Sequence, residues 1–432
     1  MSKPSLINML PAAATVAPET PEEVALALVD AARTDRKVVV FSTGHGIPPI
    51  GDTSERILLD IGVFDQVEID AEARVARIGG AVQWSQLITA AGRHGLTAPF
   101  GSAASVGVTG YMMGGGIGFM SRHLGLGCNA IRSAELVTPD GRIRRIDAGS
   151  DPDLFWALRG GGGGFGVITA LEIDLTPVPQ MAGGVLAFGI EEAERVLGTW
   201  AEWTRQLDDD VTSAVRFMHP PEGPGLTVVV VTAPRAAEDL LAVLAPLTDL
   251  DPMLNTIRDT DPVAFLEEYT DPEIDPTEPP HVYEHVLLDQ LPPEAVQLTA
   301  EFAQPTGGCD SLMVELRHLG GALGRPASGG GAMDRIDGEY SLFVLGFPES
   351  TEAIAHAVDV LSDFGRGRTY FNFMPRRTGR RTAYGVEAIS RLSDLYEAVD
   401  PRQLIDHPHP ISRTASVADE TAPAPAVATI PG

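Results

Sequence analysis

The sequence predicts an α+β fold. Short β-branched runs and amphipathic helices are mixed over its first part, strand-like runs alternate with helices in the middle, and a brief aromatic segment with one further helix closes it. With 44% hydrophobic content, the 432 residues can bury a sizeable core and suit roughly two to three domains.

The first part runs from Ala17 to Val178. Val24, Ala25, Leu28, Val29 and Ala32 recur at helical spacing, predicting a helix over Pro21 to Arg33, and the β-branched Lys37 to Phe41 predicts a strand. Strands are expected at Ile57 to Ile61, Gln66 to Ile69 and Val75 to Ile78, and a helix at Gln83 to Arg93. Pro139-Asp140-Gly141 is a turn signal joining strands Ile131 to Thr138 and Arg142 to Ile146. Asp151 reads as the cap of a helix to Leu158, and Gly166 to Leu175 as a strand.

Strand-like and helical runs then alternate: Gly184 to Ile190, Glu192 to Gln206, Leu226 to Thr232, Ala236 to Leu247, Ser311 to Arg317, Glu339 to Phe347 and Thr351 to Phe364. This pattern is compatible with a parallel sheet and equally with an antiparallel sheet covered by helices. The last part combines a short aromatic strand, Tyr370-Phe371-Asn372-Phe373, with a helix from Tyr384 to Val399 ended by Asp400-Pro401. The Ala-, Pro- and Thr-rich stretch 413–432 is expected to be disordered.

Composition excludes several partners. A net charge of −28, from 59 acidic and 31 basic side chains, repels nucleic acid and anionic membranes. Cys128 and Cys309 form no CxxC pair, and no run of about 20 apolar residues and no Sec-type leader is present, so a cytoplasmic monomer or homodimer is expected.

The densest signal is Gly101 to Gly118, GSAASVGVTGYMMGGGIG, preceded by Ser42-Thr43-Gly44-His45-Gly46 at a strand end. Glycines this close let backbone amides approach a phosphate or a flat ring. Gly161 to Gly166 satisfies GxGxxG, but a strand rather than a helix follows it, which argues against a nicotinamide Rossmann site, and no P-loop is present. His281-Val282-Tyr283-Glu284-His285 has the HxxEH form of a zinc site if helical, but no further ligand is identifiable and no metal is assigned.

In order, the TGHG loop, GSAASVGVTGYMMGGGIG, LGLGCNAIRSAELVTPDGRI, DLFWALRGGGGGFGVITALEIDL, and YFNF with YGVEAISRLSDLYEAVDP resemble the berberine-bridge-enzyme-like FAD-linked oxidases of the vanillyl-alcohol oxidase/p-cresol methylhydroxylase (PCMH) superfamily. The resemblance spans Ala17 to Ile411. It implies a bipartite PCMH-type FAD-binding domain, 17–178 completed by 365–412, with a substrate domain, 179–364, inserted as an antiparallel sheet covered by helices.

The same resemblance implies FAD contacts from Ser42, Thr43, Gly44, His45 and Gly46, and from Gly101, Ser102, Val106, Gly107, Gly110, Tyr111, Gly115, Gly116 and Gly118. Gly166, Val167 and Ile168 would lie near the adenine. His45 matches the histidine that can bond the flavin 8α-methyl, whereas Ala103 stands where many relatives carry a second, cysteinyl link. Tyr111, Asn129 and Gly164 replace the family's usual histidine, aspartate and asparagine.

Implied chemistry is hydride transfer from a small organic substrate (an alcohol, amine or natural-product intermediate) to flavin N5, with dioxygen as acceptor and hydrogen peroxide as product; the alternative is an FAD-binding protein without redox turnover. Asn372 is the expected hydrogen-bond partner of flavin or substrate. Tyr370 is a base or orienting group, with Arg376 or Arg377 as the cation a tyrosinate would need, and Tyr111 completes the catalytic set. Glu315 and Arg317 share a strand face, toward substrate or as an internal ion pair, and His318 or Tyr340 could equally line the pocket.

Overall fold

A computed structural model of the chain describes residues 7, 10–45, 52–178, 180–220, 223–271, 281–304, 311–374, 382–407 and 409. Gly46, Arg376, Arg377, Cys309 and the stretch 413–432 lie outside the described residues.

The first part builds three small sheets, one of them the two-stranded antiparallel pair Leu96–Thr97 and Thr176–Pro177. Ala14–Val16, Ile57–Asp60 and Val38–Phe41 form a parallel three-stranded sheet. Helix Pro21–Arg33 starts where Thr20 Oγ1 accepts from the Glu23 amide at 3.2 Å, with Pro21 at its first position and Glu22 and Glu23 in the dipole-favoured first turn. Its buried stripe, Val24, Leu28 and Ala31, packs with Val38 and Leu59, and burying each larger side chain is worth about 1.5–3 kcal/mol. Five antiparallel strands follow in the order Val67–Asp70, Val75–Gly79, Val167–Asp174, Ile131–Val137, Ile143–Asp147.

The middle part is one eight-stranded sheet, and it is antiparallel. Its order is Leu254–Asn255, Met181–Gly189, Leu226–Ala233, Thr212–Met218, Ser311–His318, Tyr340–Gly346, Val282–Leu288, with Arg258–Thr260 also pairing Met181–Gly189. One face carries Val229, Val231, Leu316, Leu342 and Val344 into a core with the helices Ala193–Thr204, Ala237–Val243, Pro293–Phe302 and Thr351–Leu361. The other face looks toward the glycine-rich first part, and Val230 and Leu287 join its core.

The chain then returns to its beginning. Ile405 pairs in parallel with Val38, the Val38 amide donates to Leu404 O at 2.8 Å, and Arg56 forms an ion pair with Asp406. The buried Asp400 carboxylate orders this segment by accepting from the Leu404 and Ile405 amides at 2.8 and 3.0 Å.

Several expectations are corrected. Tyr370 to Phe373 is not a strand: Phe373 N donates to Tyr370 O and Met374 N to Phe371 O at 3.0 and 3.1 Å, closing a 3-10 turn that has no ladder partner. His281 to His285 does not open a helix. Val282–Leu288 is a strand, along which residues four apart lie about 13 Å from each other, too far to share an ion. Asp151 precedes helix Pro152–Leu158 but does not cap it, because at φ 58° its carboxylate turns to Arg144 at 2.9 Å. The expected helix over Ala236 to Leu247 divides at Leu244, just before Pro246.

Candidate active site

Two loops meet at Gly107. A Cβ there would lie 3.4 Å from Ser42 Oγ and 3.5 Å from Thr43 Cγ2, so the loop after strand Val38–Phe41, which carries Gly44 (φ 87°) and His45, abuts the start of helix Val108–Met113. Beyond this junction Gly110 is exposed, with open space where its side chain would be. Thr109 Oγ1 is buried and has no hydrogen-bond partner among the described residues. An open glycine face, an orphaned hydroxyl and the adjoining Ser42 and Thr43 hydroxyls fit the pyrophosphate and flat ring of FAD, which a −28 chain must bind largely through neutral donors. Ser102 and Val106 are half-buried on the loop leading into this helix.

The remaining glycines of the run make room for protein. A Cβ on Gly101 would meet the Tyr111 ring at 2.7 Å, one on Gly116 would press into the same ring, and one on Gly118 would collide with the Phe100 carbonyl oxygen. Tyr111 therefore sits in a glycine-lined slot, edge-on to Trp84 at 5.1 Å. Its hydroxyl is buried without a hydrogen-bond partner among the described residues, and burial, then Tyr370, pushes its pKa well above the usual value. Gly115 (φ 115°) lies against Tyr370, its Cβ position 3.0 Å from the ring. Gly166 makes way for Leu136, and Val167 and Ile168 have core side chains, leaving them only backbone to offer a ligand.

The 3-10 turn from the third part docks on this run. The Gly116 amide donates to Tyr370 Oη at 2.6 Å, and Asn372 Nδ2 donates to Tyr111 O at 2.9 Å and to Tyr370 Oη at 3.0 Å. The Tyr370 amide in turn donates to His285 Nδ1 at 3.2 Å, and His285 Nε2 meets Ser341 Oγ at 2.9 Å. Burial pushes the Tyr370 phenol up, opposed by the Gly116 hydrogen bond, so it is neutral at pH 7. An acceptor of two N–H donors in that state suits an orienting role rather than that of a base.

On the facing sheet a row crosses four strands: Arg216 opposite Glu315, Glu315 opposite Phe343, Phe343 opposite His285. Cross-strand partners share a face. Glu315 and Arg317 do form the internal ion pair; Glu315 also pairs with Arg216 at 2.5 Å, and Arg216 with Asp271 at 2.7 Å. Burial alone would raise the Glu315 carboxyl, but Arg216 and then Arg317 outweigh it and hold it at about 2. His285 is pushed down to about 3 by burial and then by Arg317.

This cluster touches the glycine loop. Arg317 Nη2 donates to Ser102 Oγ at 3.2 Å, Asp271 N to Ser102 O at 2.8 Å, and Ala104 N to Thr270 Oγ1 at 2.8 Å.

His318 and Tyr340 lie on the opposite, helix-covered face, correcting the expectation that they could line the same pocket. His318 stacks on Tyr340 at 5.7 Å, and the Tyr340 hydroxyl pairs with Thr204 Oγ1 at 2.9 Å. Sequence reasoning missed Arg216, Asp271 and, as a site residue, His285. The available signal was a polar residue at an inward position of an otherwise apolar strand, VVVVTA beside TSAVRFM and VYEHVLL. Among the described residues no three histidine, cysteine or carboxylate side chains are placed to hold a metal ion, and no helix is long and apolar enough to cross a membrane.

Comparison with known proteins gives the site its context. A family model described as an FAD binding domain matches residues 12–147. The chain is 31% identical over 166 residues to the uncharacterized FAD-linked oxidoreductase YgaK of Bacillus subtilis, covering 37% of each chain. It is 26% identical over 427 residues to the FAD-linked oxidoreductase OXR1 of Pyricularia oryzae, covering 91% of this chain and 83% of that protein. Alignments with the first three curated relatives span only 32–40% of their lengths. The structure of Physcomitrella patens BBE-like 1 superposes with a TM-score of 0.82 at 18% identity, covering 94% of this chain and 93% of that one, a likeness of fold.

Proposed function

We propose that this chain, which belongs to the FAD-linked oxidoreductases of berberine-bridge-enzyme-like fold, oxidises a small organic molecule with dioxygen as acceptor and hydrogen peroxide as product. Bound FAD would supply the two-electron chemistry, taking a hydride from a substrate carbon at N5. One observation carries the reading: the open face at Gly110 lies one helical turn from Gly107, which abuts Ser42 and Thr43, and through Ser102 the same loop touches a buried polar row on the sheet.

The chain's own residues divide the work. Ser42, Thr43, Gly44, Gly107 and Gly110 would hold the cofactor through hydroxyls and amides, and His45 would carry one covalent link to it. Ala103 has no sulfur for a second. Tyr370 and Asn372 hold the glycine run in place rather than moving a proton, and Tyr111 fills the slot behind it. Ser102 and the Arg216–Glu315–Arg317 cluster would orient substrate from the sheet side.

The test is anaerobic bleaching of the FAD-loaded protein by a panel of alcohols, amines and phenols, followed by admission of oxygen with a peroxide assay. Bleaching and then stoichiometric peroxide are expected. A second reading, FAD binding without turnover, draws on the occupied state of Tyr370, Glu315 and His285; flavin that dithionite reduces and no substrate in the panel bleaches would favour it.

A further inference from the structure

We propose that the sheet side of this site takes an aromatic substrate bearing a carboxylate, with the anion on Arg317 and the ring among Tyr283, Phe343 and Phe373. The inference rests on the reading above and names the substrate class of the same site.

Three observations lead there. The first is donor capacity. Arg317 Nε is committed to Glu315 and Nη2 to Ser102, but among the described residues Nη1 makes no hydrogen bond, and the side chain is 14% exposed. A guanidinium edge left open beside the glycine loop is a ready partner for a carboxylate.

The second is the state of the acidic groups. A carboxylate is the strongest partner for a cationic amine, yet Glu315 is held by Arg216 and Arg317 and Asp271 by Arg216, and the Arg317 charge beside the aromatic rings repels a second cation. His285 takes the Tyr370 amide on Nδ1 and meets Ser341 with Nε2. Among the described residues the open charged group on this face is thus a cation.

The third is the surrounding surface. Tyr283 stacks on Phe343 at 5.5 Å and 27°, Phe343 meets Phe373 at 5.2 Å, and the Arg317 guanidinium lies 5.1 Å from the Phe373 ring centroid. All three aromatic rings are only half-buried. A planar ring is the shape such a wall accepts, and its edge then reaches Arg317. The net charge of −28 does not oppose this, because at physiological salt it is screened within about 8 Å while the guanidinium contact is direct.

The experiment titrates FAD-loaded protein with benzoate, benzyl alcohol and benzylamine, reading binding by calorimetry and by perturbation of the flavin spectrum. Benzoate is expected to bind at least about tenfold more tightly than benzylamine, with benzyl alcohol between them. Arg317→Met, which keeps much of the side chain's apolar stem, should weaken benzoate by about tenfold or more and leave benzyl alcohol nearly unchanged, and Arg317→Lys should restore part of the loss. Benzylamine binding as well as benzoate, no saturable benzoate binding, or unchanged benzoate binding in Arg317→Met would overturn the proposal. The wild-type comparison decides alone if the variants do not fold, and a protein that takes up no FAD fails the functional reading instead.

Discussion

The Gly116 amide donates to the Tyr370 hydroxyl at 2.6 Å across 254 residues of sequence. With Asn372 on the same oxygen and His285 behind the Tyr370 amide, this contact fastens the glycine run to the antiparallel sheet through a single turn. Each partner is buried or half-buried, so losing one leaves others unpaired.

Tyr370→Phe should therefore destabilise the protein by about 1–3 kcal/mol, the cost of orphaning a buried donor. Urea unfolding of the FAD-free protein measures it. An unchanged midpoint and slope would mean the Gly116 contact carries no weight.

Gly110 and Gly116 should separate cofactor contact from packing. Gly110→Ala places a methyl in open space within a helix and should stabilise the FAD-free chain by up to about 1 kcal/mol while weakening FAD retention. Gly116→Ala presses a Cβ into the Tyr111 ring at φ 90° and should destabilise the chain with or without FAD. Unfolding curves together with ultrafiltration of bound flavin distinguish the two.

Stability should fall in acid in two stages. His285 drops from 6.5 unfolded to about 3 folded, so below pH 6.5 the unfolded chain binds a proton that the folded chain refuses, and stability declines toward pH 3. Glu315, held at about 2 against 4.5 unfolded, contributes stability present above pH 4.5 and lost as pH falls through about 2. Each effect is of order a few kcal/mol. His285→Gln should flatten the dependence between pH 6.5 and 4.5, as followed by urea unfolding at stepped pH.

Local signals in the sequence were legible where neighbours decide the structure. Pro139-Asp140-Gly141 makes the expected turn, with Gly141 at φ 77° and Thr138 Oγ1 on Asp140 at 2.5 Å, and helix Pro21–Arg33 has the bounds that its apolar spacing predicts. What failed was set by partners outside the immediate pattern. Asp151 looks like a cap but an arginine seven residues back takes its carboxylate, and the aromatic run at Tyr370 has strand propensity but no strand beside it.

The site was legible to a similar depth. Local glycine and strand-end patterns mark the loops carrying Ser42 to His45 and Gly107, but their adjacency is what the family resemblance implies rather than what either pattern encodes. The row Arg216, Glu315, Phe343, His285 depends on register between strands about 30 to 100 residues apart, which no local pattern encodes. His318 is one residue from Arg317, yet the two-residue period of a strand sends it to the opposite face.

The central claim, an FAD site built on Gly107, Gly110 and His45, is tested most directly by the visible spectrum of the purified protein before and after unfolding, beside His45→Ala. The account predicts a flavin band in native wild type that stays with the unfolded chain, and a band in His45→Ala that separates from the chain on unfolding. A native protein with no flavin band after incubation with FAD would contradict it.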